Sequence, residues 1–301
     1  MQTISESPII EIPDVMPFTK GVFLPLLEAK RAEIESVPRK TFKFGGLDRN
    51  QLDVYYPSTH GKAPVLFFVY GGGYTHGDRI LPDTSSLVYA NIGSYYARQG
   101  FLTVIADYRL VPGVTYPGAS EDVRDAIVWV IDNAQTVASA DVQPDLESIF
   151  LYGHSAGASH LATLLFDENI LASSAVLSKL RGVILSGGPY TFGPGPYPEF
   201  VTHYYGEETV KLEPLGLVVG ASDAHIKKLP EILLTWAERE LRVIQPAIAT
   251  FKPALEKRRG KPVEEIIGKG HNHISIPISP GSGEGEEYSE DLVRWMRARL
   301  V

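Results

Sequence analysis

The chain has no cysteine in 301 residues. That removes disulfides, thiolate zinc sites and a cysteine nucleophile together, and it leaves the redox compartment open. Long apolar runs are also missing. The longest candidates, such as residues 64–70, are strand-sized and far short of the roughly 18 to 20 residues that cross a bilayer, so no membrane span is expected. Positive charge is in deficit, with 28 Lys plus Arg against 36 Asp plus Glu and a net charge of −8, which argues against nucleic acid or an anionic membrane as partner. The one basic cluster, Lys257 to Arg259 with Lys261, reads as a solvated helix end. The first 17 residues hold Glu6, Glu11 and Asp14 but no Lys or Arg. They lack the basic and apolar regions of a signal peptide, and the expectation is a cytoplasmic location.

What remains is an ordinary globular composition, 44% hydrophobic and 21% charged. Short β-rich runs alternate with helical stretches, the pattern of a mostly parallel α/β sheet with helices on both faces. Strands are expected at residues 41–44, 51–56, 64–70, 102–108, 148–153, 182–186, 231–236 and 262–267. Helices are expected at 18–37, 85–99, 119–138, 155–167, 244–259 and 285–300. Gly45-Gly46-Leu47-Asp48 between the first two strands is a hairpin signal, so the sheet should start antiparallel. Two stretches break the alternation, residues 1–39 and the proline- and tyrosine-rich 187–228, and both are read as a cap on a single domain spanning 1–301.

Gly153-His154-Ser155-Ala156-Gly157 follows an apolar strand and opens a helical run. This is the context of a nucleophile elbow, in which a tight turn presents Ser155 while glycines two residues before and after it let strand and helix approach. His154 occupies the variable position and is read as pointing away from the nucleophile. Directly after the strand 64–70 come Tyr70-Gly71-Gly72-Gly73-Tyr74, whose backbone N–H groups can point at a developing oxyanion. Gly72, Gly73 and the amide of Ala156 are the candidate donors.

With these two elements, Asp107-Tyr108-Arg109-Leu110 followed by Pro112, and Gly270-His271-Asn272-His273, the chain resembles the α/β-hydrolase superfamily. Within it, the likeness is to hormone-sensitive-lipase-like esterases and the related kynurenine-formamidase-like branch, from about Phe44 onward. Tyr70 stands where that family has a histidine, a departure that bears on how the oxyanion loop is braced and not on its donors. The resemblance gives Arg109 a scaffold role near that loop.

Chain order requires the base to follow the last strand, which leaves His271 and His273. The family pattern favours His273. The acid should end the penultimate strand, and 231–236 runs into Ala237-Glu238-Arg239-Glu240. Asp223 competes if residues 215–220 form a strand, and Glu238 is a neighbour; the family's acid position falls on Glu240. No carboxylate sits at a ligand spacing beside His271 and His273, so neither a metal nor a cofactor is expected.

The resemblance implies a serine hydrolase acting on a small-molecule ester or amide through an acyl-enzyme. The alternatives are an N-formyl-amide hydrolase of the kynurenine-formamidase kind and a non-catalytic ligand-binding protein on the same fold. The second is disfavoured because both Ser155 and the histidines are retained. The aromatic cap points to a small or aromatic substrate without interfacial activation, with Tyr74, Tyr190, Tyr204 and Tyr205 as candidate contacts. A homodimer is compatible with the sequence.

Overall fold

The computed structural model describes residues 1–171 and 175–300. Eight strands form one sheet: β1 (Arg39–Lys43), β2 (Gln51–Tyr55), β3 (Gly61–Val69), β4 (Leu102–Ala106), β5 (Val142–His154), β6 (Leu180–Ser186), β7 (Glu231–Arg239) and β8 (Glu264–Asn272). Their spatial order is β1-β2-β4-β3-β5-β6-β7-β8. β2 runs antiparallel to both of its neighbours, and every later pair is parallel. The β1–β2 hairpin is closed by Asn50, whose side-chain oxygen accepts the Leu47 amide at 2.8 Å.

The central strands are apolar on both faces because helices cover both, so Val65, Leu66, Phe67 and Phe68 of β3 are all buried. β5 begins earlier than its apolar run, at Val142. Its polar start, Val142 to Asp145, pairs with residues 61–64 of β3, and the register shifts between Pro64 and Val65. β8 runs on to Asn272, which delivers His273 directly from a strand end.

Two expected helices are each divided in two. Residues 18–37 become Val15–Ala29 and Arg31–Glu35, and residues 119–138 become Gly118–Asp132 and Ala134–Val137. The apolar run 215–220, a strand candidate in the sequence, is helical instead, over Pro214–Gly220. Pro214 sits in its first turn, where a missing N–H costs nothing, and the Leu217 amide closes onto the Glu213 carbonyl at 3.0 Å.

Between β6 and β7 the chain forms short helices, among them Glu199–Tyr205 and Pro214–Gly220. In the N-terminal segment, Gln2–Ser5 packs on β8 and Val15–Ala29 on the short helix Ser275–Ile278, with Ile4, Val15, Phe23 and Leu27 buried. Among the described residues no helix is long and apolar enough to cross a membrane.

Candidate active site

Ser155 caps the helix Ala156–Phe166 with φ 55° and ψ −125°, in the left-handed region that a β-carbon disfavours. Such a residue costs roughly 1–3 kcal/mol and persists only where its surroundings over-determine it. Here they do. A β-carbon at Gly157 would lie 2.1 Å from the Val69 carbonyl oxygen, and one at Gly153 would lie 2.6 Å from that of Gly157. The Ser155 amide donates to the Ser186 carbonyl at 2.8 Å, which ties the turn to the end of β6. The serine itself is half-buried.

The triple-glycine loop lies alongside, and a β-carbon at Gly71 would come within 2.7 Å of the Ser155 β-carbon. Gly72 has φ 145° and Gly73 φ 60°, and Gly73 borders open space. Ala156 is the first residue of its helix, so its N–H has no carbonyl one turn earlier to bond.

Tyr70, in place of histidine, braces this loop. Its hydroxyl donates to Asp107 at 2.9 Å and accepts from Arg49 at 2.9 Å, and its ring stacks on Tyr108 and Tyr89. Arg79 completes the network through its amide and guanidinium to Asp107. Arg109 is a scaffold residue of another kind: it pairs with Asp122 at 2.8 Å and donates to the Gly118 carbonyl, holding the helix Gly118–Asp132. Arg49, bonded to the Tyr70 hydroxyl and the Gly77 carbonyl, and Arg79, acting through Asp107, tie the start of the triple-glycine loop to the scaffold, and the sequence did not single out either one.

At the ends of β7 and β8, Nδ1 of His273 lies 2.6 Å from Oε1 of Glu240, and both side chains are 2% exposed. The Leu241 amide donates to Glu240 Oε1 at 2.8 Å, so the carboxylate is fixed from a second side. Gly187, at φ 54°, makes room for the pair; a β-carbon there would lie 2.8 Å from Glu240 and 3.2 Å from His273. Asp223 is elsewhere, 79% exposed and paired with Arg258 at 3.1 Å. Glu238 is exposed and accepts the Gly270 amide at 2.7 Å.

His271 bonds to the Ser275 hydroxyl at 2.9 Å, and burial lowers its pKa to about 4. Asn272 shapes the loop. Its side-chain oxygen accepts the amides of Ile274 and Ser275, and its nitrogen donates to Thr19 at 2.8 Å. His154 also reaches this loop, with Nε2 3.0 Å from the His273 carbonyl, so the variable elbow position is not idle. Its partner is a main-chain atom 119 residues away, which no sequence pattern signals.

The four candidate substrate tyrosines are each at most 4% exposed. Tyr74 bonds Tyr205 at 3.0 Å and packs against Tyr204, Phe200 and His160, while Tyr190 stacks on Phe251 at 4.2 Å. As placed they pack the segment between β6 and β7 onto the rest of the molecule. Among the described residues no three His, Cys, Asp or Glu side chains gather to hold a metal ion.

Comparison with known proteins agrees with this architecture. The BD-FAE family model matches residues 52–171, which contain the triple glycine and the elbow. A probable isoprenylcysteine alpha-carbonyl methylesterase of Arabidopsis thaliana is 28% identical over 280 residues, 86% of this chain. The chain spans 63% of that relative's length. Among solved structures, esterase B from Lactobacillus rhamnosis superposes with a TM-score of 0.69 at 16% identity, covering 93% of this chain and 95% of that one. A hyperthermophilic esterase from Pyrobaculum calidifontis superposes with a TM-score of 0.66 at 20% identity, covering 96% and 99%. The chain therefore has the α/β-hydrolase fold and resembles the esterases of that superfamily.

Proposed function

We propose that the protein is a serine hydrolase that cleaves carboxylic esters of small or aromatic substrates through an acyl-enzyme. The observation that carries this reading is the buried His273–Glu240 pair at the ends of β7 and β8, together with a serine in a strained elbow conformation at the end of β5. In the first step Ser155 Oγ attacks the ester carbonyl and its proton passes to His273 Nε2. Glu240 holds the proton on Nδ1 and stabilises the imidazolium. The amides of Gly72, Gly73 and Ala156 receive the negative charge of the tetrahedral intermediate. His273 returns the proton to the departing alcohol, and water, deprotonated by the same histidine, releases the acid.

No cofactor enters this scheme. The closely packed aromatic cap supports compact substrates over long acyl chains. The Arabidopsis relative is by name a methylesterase, so esters of small alcohols belong at the centre of any substrate panel.

The test is a series of p-nitrophenyl esters from acetate to palmitate, with methyl esters and N-formylkynurenine alongside. Activity should peak at short or aromatic acids, disappear in Ser155→Ala, and be lost as an organophosphate labels Ser155. Retained esterase activity in Ser155→Ala overturns the mechanism. A peak at long chains with a rate jump above the solubility limit points to a lipase instead, and preferential turnover of N-formylkynurenine to a formamidase.

A further inference from the structure

We infer that His154 is a positioning residue for His273, setting the imidazole at a fixed distance from the oxyanion loop; this rests on the triad reading proposed above. Three observations support it. His154 is 4% exposed, and its ring lies 4.6 Å from the His273 ring at 38°. Its Nε2 is 3.0 Å from the His273 carbonyl, and since a carbonyl only accepts, Nε2 carries the proton. On its other side, a β-carbon at Gly71 would lie 3.4 Å from His154 Nδ1. The ring is thus a spacer between the triple-glycine loop and His273.

The other side-chain hydrogen bonds to the main chain of this loop are made at Asn272, Ile274 and Ser275, not at His273. Asn272 holds the amides of Ile274 and Ser275 and is itself held by Thr19, so His273's own carbonyl is fixed through His154. Burial and the neighbouring His273 push the His154 pKa well down. It therefore stays neutral while His273 gains and loses a proton, and does not compete for that proton.

Two substitutions separate positioning from packing. His154→Leu keeps bulk but removes the donor, whereas His154→Gln keeps an N–H at about the reach of Nε2. With rates normalised to the Ser155 fraction titrated by organophosphate, His154→Leu should lower kcat about 10- to 100-fold with little change in KM, because a small displacement of a reacting group is costly. His154→Gln should recover most of that loss. Should the leucine variant fail to fold, His154→Asn, whose donor falls short of the carbonyl, takes its place with the same expected loss. Equal kcat in the parent and the donor-deficient variant overturns the inference, as does a glutamine variant no better than that variant. Activity surviving in Ser155→Ala overturns the triad reading itself, so the two failures are distinguishable.

Discussion

The strand ends that carry Ser155, Glu240 and His273 and the segment between β6 and β7 are both densely packed, but they are specified differently. At the strand ends the backbone dictates the residues. Gly153, Gly157 and Gly71 sit where a β-carbon would strike main chain or the serine, and the order of strands fixes which loop supplies which group. In the segment between β6 and β7 the side chains dictate the backbone, through rings such as Phe192, Tyr204 and Tyr205 that pack at steep angles to one another. Backbone constraints leave a signature in a single sequence, and mutual side-chain packing leaves only a composition.

The sharpest way to break this contrast is a pair of glycine substitutions. Gly157→Ala places a β-carbon 2.1 Å from the Val69 oxygen and should lower the melting temperature by at least about 10 °C or prevent folding. Gly220→Ala, at an exposed cap-helix end with nothing within 4 Å, should be neutral or stabilise by about 0.5 kcal/mol. Equal tolerance in thermal melts would show that backbone crowding does not distinguish the regions.

Next in size, Glu240→Gln should lower kcat about 10²- to 10⁴-fold with KM little changed, since the carboxylate acts on the imidazolium. Asp223→Asn, exposed in the cap, should be nearly silent in the same assay. The reverse ranking would move the acid into the cap.

The third prediction concerns acid. His271 and His160 are buried, with pKa values lowered to about 4 and about 3. The unfolded chain takes up protons at these rings near 6.5, and the folded chain does so only at lower pH. Between those values the unfolded state therefore holds more protons, and stability falls as pH drops from 6.5 towards 4. The gap at His271 alone corresponds to roughly 3 kcal/mol. Urea melts at pH 7.5 and 4.5 measure it, and His160→Phe should reduce the difference. Smallest, Tyr205→Phe removes the bond to Tyr74 and should cost about 1 kcal/mol, with kcat on short esters unchanged.

Much of the fold was readable from the chain. All eight strands occur where apolar β-rich runs placed them, because buried parallel strands are apolar along their length. β5's polar start escaped notice because its backbone is satisfied by β3 and not by burial. Residues 215–220 stayed ambiguous for the opposite reason: an apolar run of that length suits a buried strand or a helix equally, and Pro214 was the cue. At the site, strand order placed the Glu240 loop and the His273 loop. Arg49, Arg79, Thr19 and His154 were not legible, since each acts through a partner far away in sequence.

The bond from Asn272 to Thr19 joins residues 253 positions apart, near opposite ends of the chain. During synthesis Ser155 leaves the ribosome more than a hundred residues before the His273 loop, and the helix Val15–Ala29 waits longer still for its contact with Asn272. A chain stopped anywhere before Asn272 therefore carries Ser155 without the histidine proposed as its base.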